Sequence, residues 1–143
     1  MHEFHVTQEQ KALVDAARTA RLKSYSPYSH FQVGAALLTA DGEIFTGCNI
    51  ESAAFSATNC AERTAIFKAV SEGKKEFSAI AVVGAYEGHP LTFCSPCGVC
   101  RQVLREFCDP EAFQILLSQE DYLTRSYSLK ELLPEGFGPE DLA

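Results

Sequence analysis

The chain has 143 residues, 46% apolar and 22% charged, the balance of an ordinary compact protein and not of a disordered or fibrous one. A net charge of −7 argues against a polyanionic partner, because nucleic-acid binding draws on clustered Lys and Arg, and favours a small neutral or weakly charged ligand. The N-terminal MHEFHVTQEQ has no basic region followed by an apolar run, and no stretch reaches the roughly 18 apolar residues that span a bilayer. The sequence therefore predicts a cytoplasmic protein with no membrane partner, folded as a single domain over residues 1–143.

In chain order, Thr7 and Gln10 form a capping box, and Leu13, Val14 and Ala17 follow at helical spacing, which predicts a helix from about Gln8 to Lys23. The turn-rich SYSPYS, residues 24–29, ends it. Strand-like runs at Phe31 to Thr39 and Glu43 to Ile50 flank an Asp-Gly pair, a strong hairpin signal. After the polar loop ESAAFSATN, a helix from about Cys60 to Glu72 stops at Gly73, and Phe77 to Ala85 is a buried strand. A further helix runs from Cys97 or Gly98 to Phe107, where Asp109 and Pro110 break it. Phe113 to Ser118 and Leu123 to Tyr127 are short strands, Ser128 and Glu131 cap a short LKELL helix, and GFGPEDLA is a tail. This order predicts an α/β fold, a three-layer α/β/α sandwich around a mixed sheet of about five strands.

Six cysteines, Cys48, Cys60, Cys94, Cys97, Cys100 and Cys108, occur without a secretory leader, which favours metal binding or burial over disulfides. Cys97 and Cys100, in SPCGVC, have the two-residue gap that lets both sulfurs reach one ion. Cys60 precedes another helix, and the chain between it and Cys97 is about what one helix, one strand and one loop consume. A crossover can therefore bring the two helix mouths together, where helix dipoles favour thiolates. Three protein ligands leave the fourth position of a tetrahedral Zn²⁺ for water, and Glu62, two residues past Cys60, can reach that water without binding the metal. Arg63, three residues after Cys60, can donate to the ligand sulfurs and offset their charge.

Plainer readings exist for each residue. Cys94 could close a four-thiolate structural site, whereas an iron–sulfur run would need a cysteine where Leu104 stands. Cys48 and Cys108 read as small buried hydrophobes. Away from Cys60, Glu62 would be a carboxylate favouring its helix dipole and Arg63 a solvated charge. His2, His5, His30 and His89 have no ligand spacing. Asn49 and Glu51 could be turn formers, and Phe31 and Phe137 packing residues.

CAE followed by PCGVC matches the signature of zinc nucleoside and nucleobase deaminases. YSPYSHFQVGAAL, GCNIESAAFS, NCAERTA, SPCGVCRQV and LLPEGFGPEDL, in that order, resemble the small cytidine deaminase family over nearly the whole chain. The resemblance implies hydrolytic conversion of cytidine or deoxycytidine to its uridine counterpart, in pyrimidine salvage. It implies one Zn²⁺ per subunit on Cys60, Cys97 and Cys100, Glu62 as proton shuttle, and a homotetramer. By the same resemblance Asn49 and Glu51 hold the ribose 3′-hydroxyl, Phe31 lines the pocket, the Ala61 backbone meets the base, and the Ser95 carbonyl accepts from the exocyclic amine. Ala53 and Phe55, in the CNIESAAFS loop, belong to the implied substrate contacts, and Phe137 stacks on a base in a neighbouring subunit.

Overall fold

The computed structural model describes all 143 residues. Thr7 Oγ1 accepts the Gln10 N–H at 3.3 Å while the Gln10 side chain accepts the Thr7 N–H at 3.2 Å, satisfying two donors at a helix start. The helix so capped, α1, spans Gln8–Arg21 and buries Leu13, Val14, Ala17 and Ala20 on one face. Strand β1 (His2–His5) precedes it, and β2 (Phe31–Thr39) and β3 (Ile44–Cys48) follow as a hairpin. Gly42, at φ 93°, supplies the left-handed residue of that turn. Next come α2 (Ala61–Ser71), β4 (Phe77–Tyr86), α3 (Gly98–Phe107), β5 (Gln114–Ser118), β6 (Leu123–Ser128) and α4 (Leu129–Leu132). Single 3-10 turns lie at Phe55–Ala57 and Pro139–Leu142.

The strands form one mixed sheet in the order β1-β6-β5-β4-β2-β3. β4 and β5 pair in parallel, whereas β3 and β4 each run antiparallel to β2 and so are parallel to each other with β2 between them. Two crossovers result: α2 carries the chain from β3 past β2 to β4, and α3 carries it from β4 to β5. Both helices lie on one face of the sheet, where Ala65, Ile66, Ala69 and Leu104 pack with Leu37, Ile80, Val82 and Ile115. On the opposite face Leu13, Val14 and Ala17 of α1 cover Ala36, Ala81 and Val83. The three-layer α/β/α sandwich is the one the element order predicts, and because β3 and β4 run parallel its crossovers start α2 and α3 at the same, carboxyl, end of the strands.

Gly47 brings α2 onto β3: a Cβ there would stand 2.4 Å from the Ala61 carbonyl oxygen and 2.5 Å from the Ala65 nitrogen. The close approach fixes the mouth of α2 against the sheet.

The sheet has six strands instead of about five, because His2–His5 adds to the edge beside β6. Its one half-buried residue, Phe4, packs against the α1-side core, and Glu3 pairs with Arg125 Nε at 2.9 Å. β3 ends at Cys48, short of the expected Ile50, whose main chain bridges Tyr25 and Asn59 instead. α1 ends at Arg21, two residues before Lys23.

Candidate active site and metal centre

Cys60 and Cys97 occupy the same position on different helices. Each is the extended residue immediately before its helix, Cys60 at φ −77°, ψ 157° and Cys97 at φ −67°, ψ 165°, and neither side chain caps its own helix. Both sulfurs are therefore free to face the gap between α2 and α3. Cys100, the third residue of α3, is buried and completes a triangle whose sulfurs all lie within 4.8 Å of one another. The Cys60 and Cys97 sulfurs are 3.6 Å apart. A tetrahedral zinc with Zn–S bonds of about 2.3 Å separates its sulfur ligands by about 3.8 Å, so the triangle has the spacing and the soft donors that zinc requires.

Cys94 is not in this triangle. It packs with Phe31 against Gly84 of β4, and burial pushes its thiol up to about 12, so it stays protonated. The alternative of a closed, four-thiolate site is not what the fold builds.

Arg63 Nη2 donates to Cys60 Sγ at 3.3 Å. The Cys60 thiol is drawn down to about 5, first by a hydrogen bond from Cys100 and then by Arg63 and Cys97, against the opposing effect of burial. Cys100 retains the shared proton, its thiol pushed far up by the same contact and by burial. Glu62 is 4% exposed; burial, assisted by the Cys60 charge, pushes its carboxyl up to about 7. A carboxyl poised near neutrality beside a metal-binding triangle is suited to taking and giving protons at physiological pH.

A family model for the cytidine and deoxycytidylate deaminase zinc-binding region matches residues 7–115. The chain is 50% identical over 131 residues to a cytidine deaminase of Sporosarcina psychrophila, covering 92% of this chain and 93% of that one. A crystal structure of cytidine deaminase from Burkholderia pseudomallei superposes with a TM-score of 0.81 at 46% identity, covering 92% of this chain and all of the other. A blasticidin-S deaminase of Bacillus cereus is 33% identical, covering 94% of this chain and 96% of that one. The chain belongs to the cytidine and deoxycytidylate deaminase zinc-binding family. It is a zinc enzyme of the hydrolase type, and its substrate is a nucleoside.

The remaining predicted site residues of this deaminase are held from several elements. Asn49, buried just after β3, uses its amide as a strut: Oδ1 accepts the Val33 N–H at 2.9 Å and the Ser24 hydroxyl at 2.5 Å, while Nδ2 donates to the Phe31 carbonyl at 2.7 Å. One amide hydrogen is left over. Glu51 Oε1 accepts from the Tyr28 and Ser29 N–H groups at 2.9 and 3.1 Å, and Oε2 accepts the Ser29 hydroxyl. The Ser29 hydroxyl is the leading cause of the lowering of the Glu51 pKa. A concavity of about 370 Å³ is lined by Tyr28, Ser29, Glu51, Phe55 and Thr58. Phe31, partly buried, meets Tyr86 edge-on at 5.1 Å. Ala61 is the first residue of α2, so its N–H has no acceptor within the helix. Ala53, Phe55, Ser95 and Phe137 are exposed.

Several supporting residues escaped sequence reasoning. Arg101 donates to the Pro96 carbonyl at 2.7 Å, the Ser95 hydroxyl at 2.7 Å and the Leu132 carbonyl at 2.6 Å, bracing the loop that carries Cys97. Thr64 Oγ1 bonds the Cys48 and Cys60 carbonyls, tying the cap of α2 to β3. Ser24 and Ser29 orient Asn49 and Glu51. The dense hydroxyls of SYSPYS were the available signal, but a turn alone also explains them.

Proposed function

We propose that the chain catalyses hydrolytic deamination of cytidine and deoxycytidine, consuming one water and releasing uridine or deoxyuridine and ammonia, as a cytoplasmic enzyme of pyrimidine salvage. The observation that carries this reading is the buried Glu62 carboxyl, near neutrality, beside the sulfur triangle of Cys60, Cys97 and Cys100. Those three cysteines would hold one Zn²⁺ per subunit, and the ion, when bound, supplies Lewis-acid activation of water. Arg63 offsets the thiolate charge through its bond to Cys60.

Glu62 is the proton carrier. Its carboxylate takes a proton from water and delivers it to ring nitrogen 3, which makes carbon 4 of the pyrimidine electrophilic, and the water oxygen adds to that carbon. Glu62 then takes the remaining proton of the new hydroxyl and gives it to the amino group; the carbon–nitrogen bond breaks as the carbon–oxygen double bond forms, and ammonia leaves. Asn49, with its remaining amide hydrogen, and Glu51, with one lone pair left over on Oε2, bind the ribose 3′-hydroxyl. A free base leaves those groups unpaired and binds less well. Phe31 lines the pocket, the Ala61 N–H and the Ser95 carbonyl read the base, and Ala53, Phe55 and Phe137 complete the substrate contacts.

We further propose one domain over residues 1–143 and a homotetramer. The exposed aromatic side chains of Phe55, at 74%, and Phe137, at 56%, fit burial against neighbouring copies. Six unpaired thiols fit a reducing compartment. No helix is long and apolar enough to cross a membrane, and the charge of −7 disfavours nucleic acid as a partner.

A substrate panel tests the reading: zinc-loaded protein is given cytidine, deoxycytidine, blasticidin S and a cytosine-containing oligonucleotide, with ammonia as the readout. Rapid release from the two nucleosides is expected. Preferential release from blasticidin S or from the oligonucleotide would overturn it.

A further inference from the structure

The chain from the last residue of α4 onward is fastened to α3 at three successive points. Arg101 Nη1 donates to the Leu132 carbonyl at 2.6 Å, Gln102 Nε2 donates to the Phe137 carbonyl at 2.8 Å, and Arg105 forms an ion pair with Glu140. The Arg105 side chain is only 11% exposed, whereas that of Glu140 is 64% exposed. Gly138 lies between the last two anchors and is buried. Its backbone, at φ −147° and ψ −179°, is extended and open to any residue, so what the position demands is space. A Cβ there would stand 2.4 Å from Arg105 Cζ and 2.5 Å from Nη1. The Gly138 N–H donates to Asp141 Oδ2 at 2.8 Å, closing the turn that follows.

Phe137 therefore sits between two bonded points, its carbonyl held by Gln102 and the next residue seated on a guanidinium, yet its ring is 56% exposed. The main chain on either side of the ring is fixed while the side chain itself is presented to solvent. The helix that holds it is also the helix that carries Cys97 and Cys100, so the ring is referenced to the metal centre through one rigid element.

We propose that Gln102, Arg105 and Gly138 are positioning residues that hold the Phe137 ring ready to stack on the nucleoside base in a neighbouring copy. This rests on the reading of Phe137 given under the proposed function. Arg105 acts through Phe137 and touches no reacting atom; its guanidinium is the plate on which the Gly138 backbone lies, and Glu140 keeps that plate from swinging away.

The test is a kinetic double-mutant comparison on the full-length zinc-loaded protein. Arg105→Gln removes the ion pair, and Gly138→Ala displaces the guanidinium without changing a charge. Each is measured alone and in a Phe137→Ala background, with zinc content and oligomeric state checked. Each single variant should raise KM for cytidine about five- to tenfold, with kcat within about twofold of the parent. Neither should raise KM further once Phe137→Ala is present, which a merely structural role would not produce. If Gly138→Ala does not fold, Glu140→Gln, on the exposed side of the pair, carries the same comparison. A raised KM in Phe137→Ala with parental KM in the strap variants overturns the strap, as does an equal rise in both backgrounds. A parental KM in Phe137→Ala overturns the assignment of Phe137 itself, and the purpose of the strap with it.

Discussion

Arg63 Nη2 lies 3.3 Å from Cys60 Sγ, so the third residue of α2 offsets the charge of the sulfur on the residue immediately before the same helix. Arg63 Nε is buried without a partner, which leaves the thiolate contact as the fixed point of this side chain. Thiol, carboxylate and guanidinium at the mouth of α2 thus form a single device: a metal ligand, a proton carrier one turn-face away, and a counter-charge.

Arg63→Gln should weaken zinc binding by about 10- to 100-fold, the usual cost of losing a partner behind a metal ligand. Competition with a graded chelator measures it. The loss should be largest at low pH, because Cys60 without Arg63 holds its proton more tightly. Parental affinity at every pH contradicts this role.

The raised Glu62 pKa gives a stability prediction for the zinc-free protein. The folded carboxyl, at about 7, binds its proton more tightly than the ordinary 4.5, so its contribution is present below 4.5 and is lost as pH rises through 7. Cys60, lowered to about 5 from 9.0, acts in the opposite sense: its contribution is fully present above 9.0 and is lost as pH falls through 5, so it grows over most of the range in which that of Glu62 declines. The two partly cancel in the parent. Glu62→Gln removes only the first, so its stability relative to the parent should climb by about 3 kcal/mol between those pH values and then level off. Urea midpoints at a series of pH values provide the check; a pH-independent difference would contradict the burial of an ionisable group there.

Cys94→Ser should keep one zinc per chain and near-parental turnover, because Cys94 lies outside the sulfur triangle. Placing a hydroxyl in its half-buried site should lower stability by about 1–3 kcal/mol. Cys60→Ser should lose the metal. Metal analysis and thermal melts on the two variants separate an open three-thiolate site from a closed one.

Asn49→Ala should lower stability and raise KM together. The amide accepts the Val33 N–H and the Ser24 hydroxyl and donates to the Phe31 carbonyl, and each buried group left unpaired costs about 1–3 kcal/mol. Glu51→Gln, at a half-buried position with its volume unchanged, should raise KM for cytidine with little change in melting temperature. A melting loss without any change in KM in both variants would reduce the pair to loop anchors.

The metal centre was legible because its chemistry is local in sequence. Cys97 and Cys100 are spaced to share an ion, and Cys60 with Glu62 and Arg63 is written within one turn of α2. The element order sufficed for the three-layer arrangement, since a helix between strands must return along a face of the sheet. Less visible was β1, which has one half-buried residue and no alternation to announce it; pairing with β6 and the Glu3–Arg125 contact hold it in place. The second duty of Asn49 and Glu51, clamping residues 24–33, was also hidden, because their partners are backbone groups of a distant loop. Arg101, Gln102 and Arg105 read as the polar face of a helix, and only the returning tail gives them partners.

The most direct measurement compares the parent with Glu62→Ala, each shown to carry one zinc per chain, on saturating cytidine, following uridine and ammonia together. The parent should release one ammonia per uridine, and the variant should fall by at least about 10²–10⁴-fold with its zinc unchanged. Parental turnover in the variant, or a fully zinc-loaded parent that leaves cytidine untouched, would contradict the central claim.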